Sequence, residues 1–195
     1  MQIIFATHNT NKLSEIRRML EGTDSIQFVS LSELEYHDEI IEDGATLEEN
    51  ASIKSSHIYK LFHKAVISED TGLEITSLNM KPGVKTARYA GEERDNLLNM
   101  KKVLDELTGK EDRSARFRTI ISFIDNGKEY QFEGIVDGKI ATEMSGDGGF
   151  GYDPIFIPMG HESTFAMLSS EIKNSMSHRF RALEKFKSFL KDYEF

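Results

Sequence analysis

Three features of this chain place reactive groups where chemistry is done: carboxylates beside an apolar run, a lysine on the apolar face of a helix, and a glycine-flanked aromatic turn. Glu69 and Asp70 close the run AVIS (65–68). Neighbouring side chains on extended backbone point to opposite faces, so these two carboxylates have different jobs. Glu42 and Asp43 form a second acidic pair just ahead of a helix. Such groups suit a hard cation such as magnesium, which takes one or two carboxylates plus phosphate and water oxygens. Either pair also reads as a solvated acidic turn. Lys54 falls in helical step with Leu47, Ala51 and Ile58, and an ammonium there is costly unless something negative lies over it. The other reading is a lysine at the edge of the stripe, its stem buried and its head in water.

THNTNK (7–12) joins a short apolar strand to a helix, where unpaired N–H groups and the helix dipole favour an anion. Thr7, Asn9 and Thr10 bring donors and Lys12 a charge, although plain N-capping accounts for the same residues. The glycines of a Walker loop are missing. In GFGYDP (149–154) glycines on both sides of Phe150 allow sharp bending, and Pro154 pushes Asp153 toward an extended conformation. Lys173, His178 and Arg179 surround the start of the final helix, either an anion or carbonyl site or ordinary surface charge.

The elements that must position these groups follow from periodicity. QIIFA (2–6) reads as a buried strand, and residues 11–21 as a helix with Leu13, Ile16 and Leu20 inward. A helix over 46–62 opens with a Thr46/Glu49 capping box and carries Leu47, Ala51, Ile58 and Leu61 on one face. AVIS (65–68) and LEIT (73–76) read as two strands with EDTG as the turn between them. Residues 95–107 read as a helix with Leu97, Leu98, Val103, Leu104 and Leu107 as its apolar positions. RFRTIISFID and EYQFEGIV form a hairpin through Asn126-Gly127, with a further turn at Asp137-Gly138. A last helix over 178–192, capped by Ser177, turns Phe180, Leu183, Phe186 and Leu190 inward. This order implies a mixed sheet flanked by helices.

At 195 residues the chain fits one domain over 1–195, or one domain with two lobes. The absence of cysteine removes disulfides, thiolate metal sites and a cysteine nucleophile. A net charge of −9 with scattered basic residues argues against nucleic-acid binding. No run suggests a secretory leader or a membrane span, so a cytoplasmic protein with no membrane partner is expected.

Taken in order, ATHNTNKLSEI, EDGATLEENASIK, EDTGLEI, PGVKTARYAG, GGFGYDPIF, TFAML and SHRFRAL resemble the inosine/xanthosine triphosphate pyrophosphatase family, the Ham1-like enzymes that hydrolyse non-standard purine nucleoside triphosphates. The likeness runs nearly end to end. It implies an elongated mixed α/β fold of two lobes around a cleft, a homodimer, and magnesium-dependent cleavage of ITP, dITP or XTP to the monophosphate and pyrophosphate. Thr7, His8, Asn9, Thr10, Asn11, Lys12 and Lys54 would then hold the phosphates. Asp70 would be catalytic and bind Mg2+ with help from Glu42, with Thr71 beside them. Phe150 would stack on the base, Gly151, Tyr152 and Asp153 would shape its pocket, and Lys173, His178 and Arg179 would read a 6-oxo purine. His8 stands where the family often has glycine, Glu69 where aspartate is usual, Met167 where glutamate is frequent, and Phe180 where glycine is common. A Maf-like pyrophosphatase of different base preference and a non-catalytic nucleotide sensor are the competing readings.

Overall fold

Strand β1 (Gln2–Phe5) is apolar on both faces because both faces are covered. In the computed structural model, which describes residues 2–19 and 26–194, Ile3 and Phe5 enter one core cluster and Ile4 and Ala6 enter another. The first cluster contains Ile16 of helix α1 (Thr10–Met19), Ile67, Ile121 and Phe123, with Leu183 and Phe186 of a C-terminal helix. The second holds Leu31, Val66 and Ile58. Each side chain so buried is worth about 1.5–3 kcal/mol.

Strand β2 (Gln27–Ser30) pairs in parallel with β1. Helix α2 (Leu47–Phe62) has the capping box read from the sequence: Thr46 accepts from Glu49 N, and the Glu49 carboxylate returns to the Thr46 N–H. Strand β3 (Val66–Ile75) follows, then β4 (Lys81–Gly83), helix α3 (Asn96–Glu106) capped by Asp95, and the hairpin β5 (Ser114–Asp125) and β6 (Lys128–Ile140). Strand β7 (Phe156–Pro158) and helices α4 (Ser170–Met176) and α5 (His178–Lys191) complete the described elements. The strands form one mixed sheet in the order β2-β1-β3-β5-β6-β7, with β4 beside β3. The fold is therefore mixed α/β with flanking helices. No helix among the described residues is long and apolar enough to cross a membrane.

The chain divides into two compact units. The first comprises the chain up to Asp70, Thr119–Gly134 and the stretch from Phe180 onward; it holds the two clusters above. The second comprises Thr71–Arg118 and Ile135–Arg179. Its own core joins Leu73 and Ile75 to Met100, Val103, Phe117, Tyr152, Phe156 and Phe165.

Three sequence expectations are corrected. EDTG is no turn: β3 runs straight through it, so Glu69 and Asp70 lie mid-strand rather than at a strand end. Turn propensity loses because β3 has strand neighbours along its length, β1 at Val66 and Ile67 and β4 at Leu73 to Ile75, with β5 beside it. Its polar side chains also find partners: Ser68 Oγ donates to Ala51 O at 2.6 Å. Asp137-Gly138 likewise stays within β6, where Gly138 pairs with Pro158 of β7. Leu61, Leu97 and Leu98 are exposed, since α2 and α3 turn other positions inward. A short helix that the sequence pattern did not reveal, α4, ends at Ser177, whose N–H donates to Lys173 O and whose extended backbone leads directly into α5. The end of the helix expected over 11–21 lies outside the described residues beyond Met19.

Candidate functional site

In the first unit, helix α2 carries Lys54 over strand β3. The helical step placed Lys54 on the buried face, and it is 7% exposed there. Its ammonium pairs at close range with Glu42 and lies 3.4 Å from Asp70 Oδ1. The negative partners required by that burial are thus the two carboxylates singled out as cation ligands. Of the Glu42–Asp43 pair, Glu42 makes this contact and Asp43 is exposed.

Asp70 has one oxygen left over. Oδ2 is buried and has no hydrogen-bond partner among the described residues. Burial pushes the Asp70 carboxyl up from its ordinary range, and the nearby Glu42 charge adds to this; Lys54, Lys12 and the Asn50 amide pull the other way without prevailing. A buried polar atom without a partner costs about 1–3 kcal/mol, so this geometry is poised to accept a proton, a water or a cation. Glu69, the adjacent strand residue, points elsewhere as its position on an extended backbone requires, and meets Lys12 Nζ at 3.1 Å.

The turn before α1 is organised around capping. Thr7 Oγ1 accepts from Asn9 N at 3.1 Å, and Asn9 Oδ1 accepts from Lys12 N at 3.2 Å. Thr10 and Asn11 are the first two residues of the helix. His8 is exposed, its ring stacked on Tyr36 at 6.2 Å and its Nε2 3.1 Å from Asp38 O. Asn50 was not foreseen as a site residue. It is a buried amide one helical turn before Lys54, and its position on the same face was the available signal.

The second unit holds the other group, beginning with Thr71, the residue after Asp70 on β3. The GFGYDP turn is built around Asp153. Its Oδ2 accepts from Phe150 N at 2.7 Å and from Lys173 Nζ at 2.6 Å. Gly149 is forced here: at φ 72° any Cβ would sit 2.0 Å from Asp153 Oδ2. Gly151 also has a positive φ, and Tyr152 donates its hydroxyl to Thr86 O at 2.8 Å. Lys173 Nζ lies 4.8 Å and Arg179 Cζ 5.5 Å from the Phe150 ring centroid, so two cations face this aromatic side chain. His178 stacks on Phe117 at 4.8 Å. Lys173, His178 and Arg179 are all buried, so the reading of ordinary surface charge does not hold.

Lys54→Met tests the first group. An unpaired buried lysine would melt more easily than methionine, but this lysine neutralises two carboxylates. The variant is therefore expected to lower the melting temperature of the metal-free protein, because Glu42 and Asp70 are left facing each other. Triphosphate binding should weaken by about 1.5–3 kcal/mol as a charged hydrogen bond is lost. Calorimetry checks both, and normal binding by a folded variant would remove Lys54 from the site.

Comparison with known proteins is consistent from end to end. The profile of the Ham1 family matches residues 3–189. A dITP/XTP pyrophosphatase of Porphyromonas gingivalis is 43% identical over 190 residues, covering 97% of each chain. One from Bacillus licheniformis is 46% identical over 192 residues, again with 97% of each covered. Among solved structures, a HAM1 protein from Coxiella burnetii superposes with a TM-score of 0.92 at 37% identity, covering 99% of this chain and 100% of the other.

Proposed function

We propose, since the chain belongs to the Ham1 family, that it hydrolyses non-standard purine nucleoside triphosphates such as ITP, dITP and XTP to the monophosphate and pyrophosphate. The observation that carries this reading is the Lys54 ion cluster, with a partnerless Asp70 oxygen beside it. A buried cation flanked by ionisable oxygens fits a ligand that brings both negative charge and a hard metal.

The donor set fits magnesium. Asp70 Oδ2 is buried and available, and Glu42 shares the same lysine. No group of three or more histidine or acidic side chains able to hold a metal occurs among the described residues. The remaining coordination therefore falls to phosphate oxygens and water, the usual habit of magnesium. Asp70 and Glu42 would hold the ion, which when bound offsets the charge developing on the phosphate oxygens. Asp70 orients the attacking water and takes its proton, a role favoured by a carboxyl held above its ordinary range. Lys54 and Lys12 bind phosphate oxygens, aided by backbone N–H groups at the start of α1. Water supplies the new P–O bond, and the α–β bridging oxygen leaves with pyrophosphate.

The base is held by the second group. Phe150 stacks on the purine, and Gly151, Tyr152 and Asp153 form the wall. Arg179 donates to a 6-oxo oxygen, supported by Lys173 and His178. Guanine carries the same oxygen, so its rejection depends on its 2-amino group lacking room or a partner.

Pyrophosphate release measured over ITP, dITP, XTP, GTP, ATP and CTP tests the reading. Release is expected from the first three with magnesium, falling at least about 100-fold with excess EDTA. Equal turnover of ATP and ITP, or full activity in EDTA, would contradict it.

A further inference from the structure

Segment 42–46, which carries Glu42, is held to α2 through its backbone. Gly44 N donates to Asn50 Oδ1 at 2.9 Å. Ala45 N and Thr46 N donate to Glu49 Oε2 at 2.6 and 3.3 Å. Three consecutive N–H groups thus end on two adjacent side chains in the first turn of the helix. One turn further on, Lys54 grips Glu42 itself. Asn50 is 2% exposed and lies one helical turn before Lys54, whose ammonium stands 3.4 Å from Asp70 Oδ1. The approach is as close as the backbone permits: a Cβ on Gly44 would stand 2.7 Å from Asn50 Oδ1 and 2.7 Å from Glu49 Cβ.

We infer that Asn50 is a positioning residue, a neutral group that fixes the Glu42-bearing segment to helix α2, whose Lys54 faces both Glu42 and Asp70. The inference rests on the reading that Glu42 and Asp70 act together on a triphosphate. An amide suits this place for two reasons. Its oxygen accepts from Gly44 N while its nitrogen, unlike a carboxylate oxygen, brings only donors to an acid-rich neighbourhood. It also adds no third negative charge to a cluster in which one lysine already faces two. Groups that orient ligating carboxylates commonly affect activity about 10- to 100-fold without touching substrate.

The contact can be broken from either side. Asn50→Ala removes the acceptor, and Gly44→Ala leaves Asn50 in place but pushes the segment away from it. Each is expected to lower kcat for ITP at saturating magnesium by about 10-fold or more, with KM within about twofold of wild type. In the double variant, adding Gly44→Ala to Asn50→Ala should cost less than Gly44→Ala costs in the wild type, because the Gly44–Asn50 contact that both changes break is already lost, although the new methyl group still meets Glu49 Cβ. Amide exchange at Gly44, followed by NMR without substrate, should be at least about tenfold faster in Asn50→Ala. A kcat within twofold of wild type in both single variants, independent multiplicative losses, or unchanged Gly44 exchange would overturn the inference. A wild-type protein that releases no pyrophosphate from any triphosphate would instead overturn the functional reading and the catalytic role with it. Gly44 exchange would still decide whether Asn50 holds the segment.

Discussion

Asp70→Asn is expected to lower pyrophosphate release by about 100-fold or more, while the metal-free variant melts at a higher temperature than wild type near neutral pH. The two effects have one cause. Burial holds the Asp70 carboxyl above its ordinary value of 3.8, so the folded chain binds that proton more tightly than the unfolded chain. The resulting stability is fully present below the ordinary value and is lost as pH rises through the folded one. Asparagine keeps the shape and stays neutral. Its advantage over aspartate should therefore be absent in acid and complete above the raised value. Lys54 still has Glu42 when Asp70 is neutralised, so no buried cation is stranded. Scanning calorimetry of both proteins in EDTA across that range reads the stability, and pyrophosphate release reads the rate. Unchanged turnover would remove Asp70 from catalysis, and a melting difference constant with pH would show that desolvation does not govern its charge.

Arg179→Ala is expected to reduce the preference for ITP over ATP, as a ratio of kcat/KM, by about 100-fold or more. A site that hydrogen-bonds a substrate group rejects an analogue lacking it, because buried donors are then left without partners. Arg179 is 2% exposed, so the guanidinium has little water to fall back on when the 6-oxo group becomes an amine. Removing it also opens a gap in the second unit, and rates should be taken well below the variant's melting temperature. Phe150→Ala supplies the contrast: it should weaken kcat/KM for all purines together by stacking worth about 1–3 kcal/mol. An Arg179→Ala enzyme that keeps the wild-type ratio would place selectivity in other residues.

How far the sequence carried depended on whether the deciding force was local. The capping box at Thr46 and Glu49, the Asn126-Gly127 hairpin and the apolar face around Lys54 are set within a few residues, and all three are found as read. EDTG was misread because its turn residues are overruled by strands from elsewhere in the chain, which no local window contains. Asp137-Gly138 failed for the same reason, through its pairing with β7. Among the site residues, the burial of Lys54 predicted a negative partner but not which one. The Lys12–Glu69 pair and the Asn50–Gly44 contact join residues far apart in sequence or hidden within a capping pattern. The motif blocks supplied the family because they preserve the order of such contacts without revealing their geometry.

The first unit is made of three separate stretches of chain, and this dictates when it can fold. The β1 face bearing Ile3 and Phe5 is covered by Ala182, Leu183, Phe186 and Leu190 of α5, the last described helix to leave the ribosome. Until then, this apolar face has only part of its cover, from residues such as Ile16 of α1, although it was synthesised well before α5. A nascent chain paused before α5 therefore presents an open strand face to chaperones or to other chains. The wait is also costly in rate, because the closing contacts span almost the whole sequence. Losing α5 would thus act less as the removal of a helix than as a permanent arrest of assembly, with aggregation rather than reduced turnover as its visible consequence.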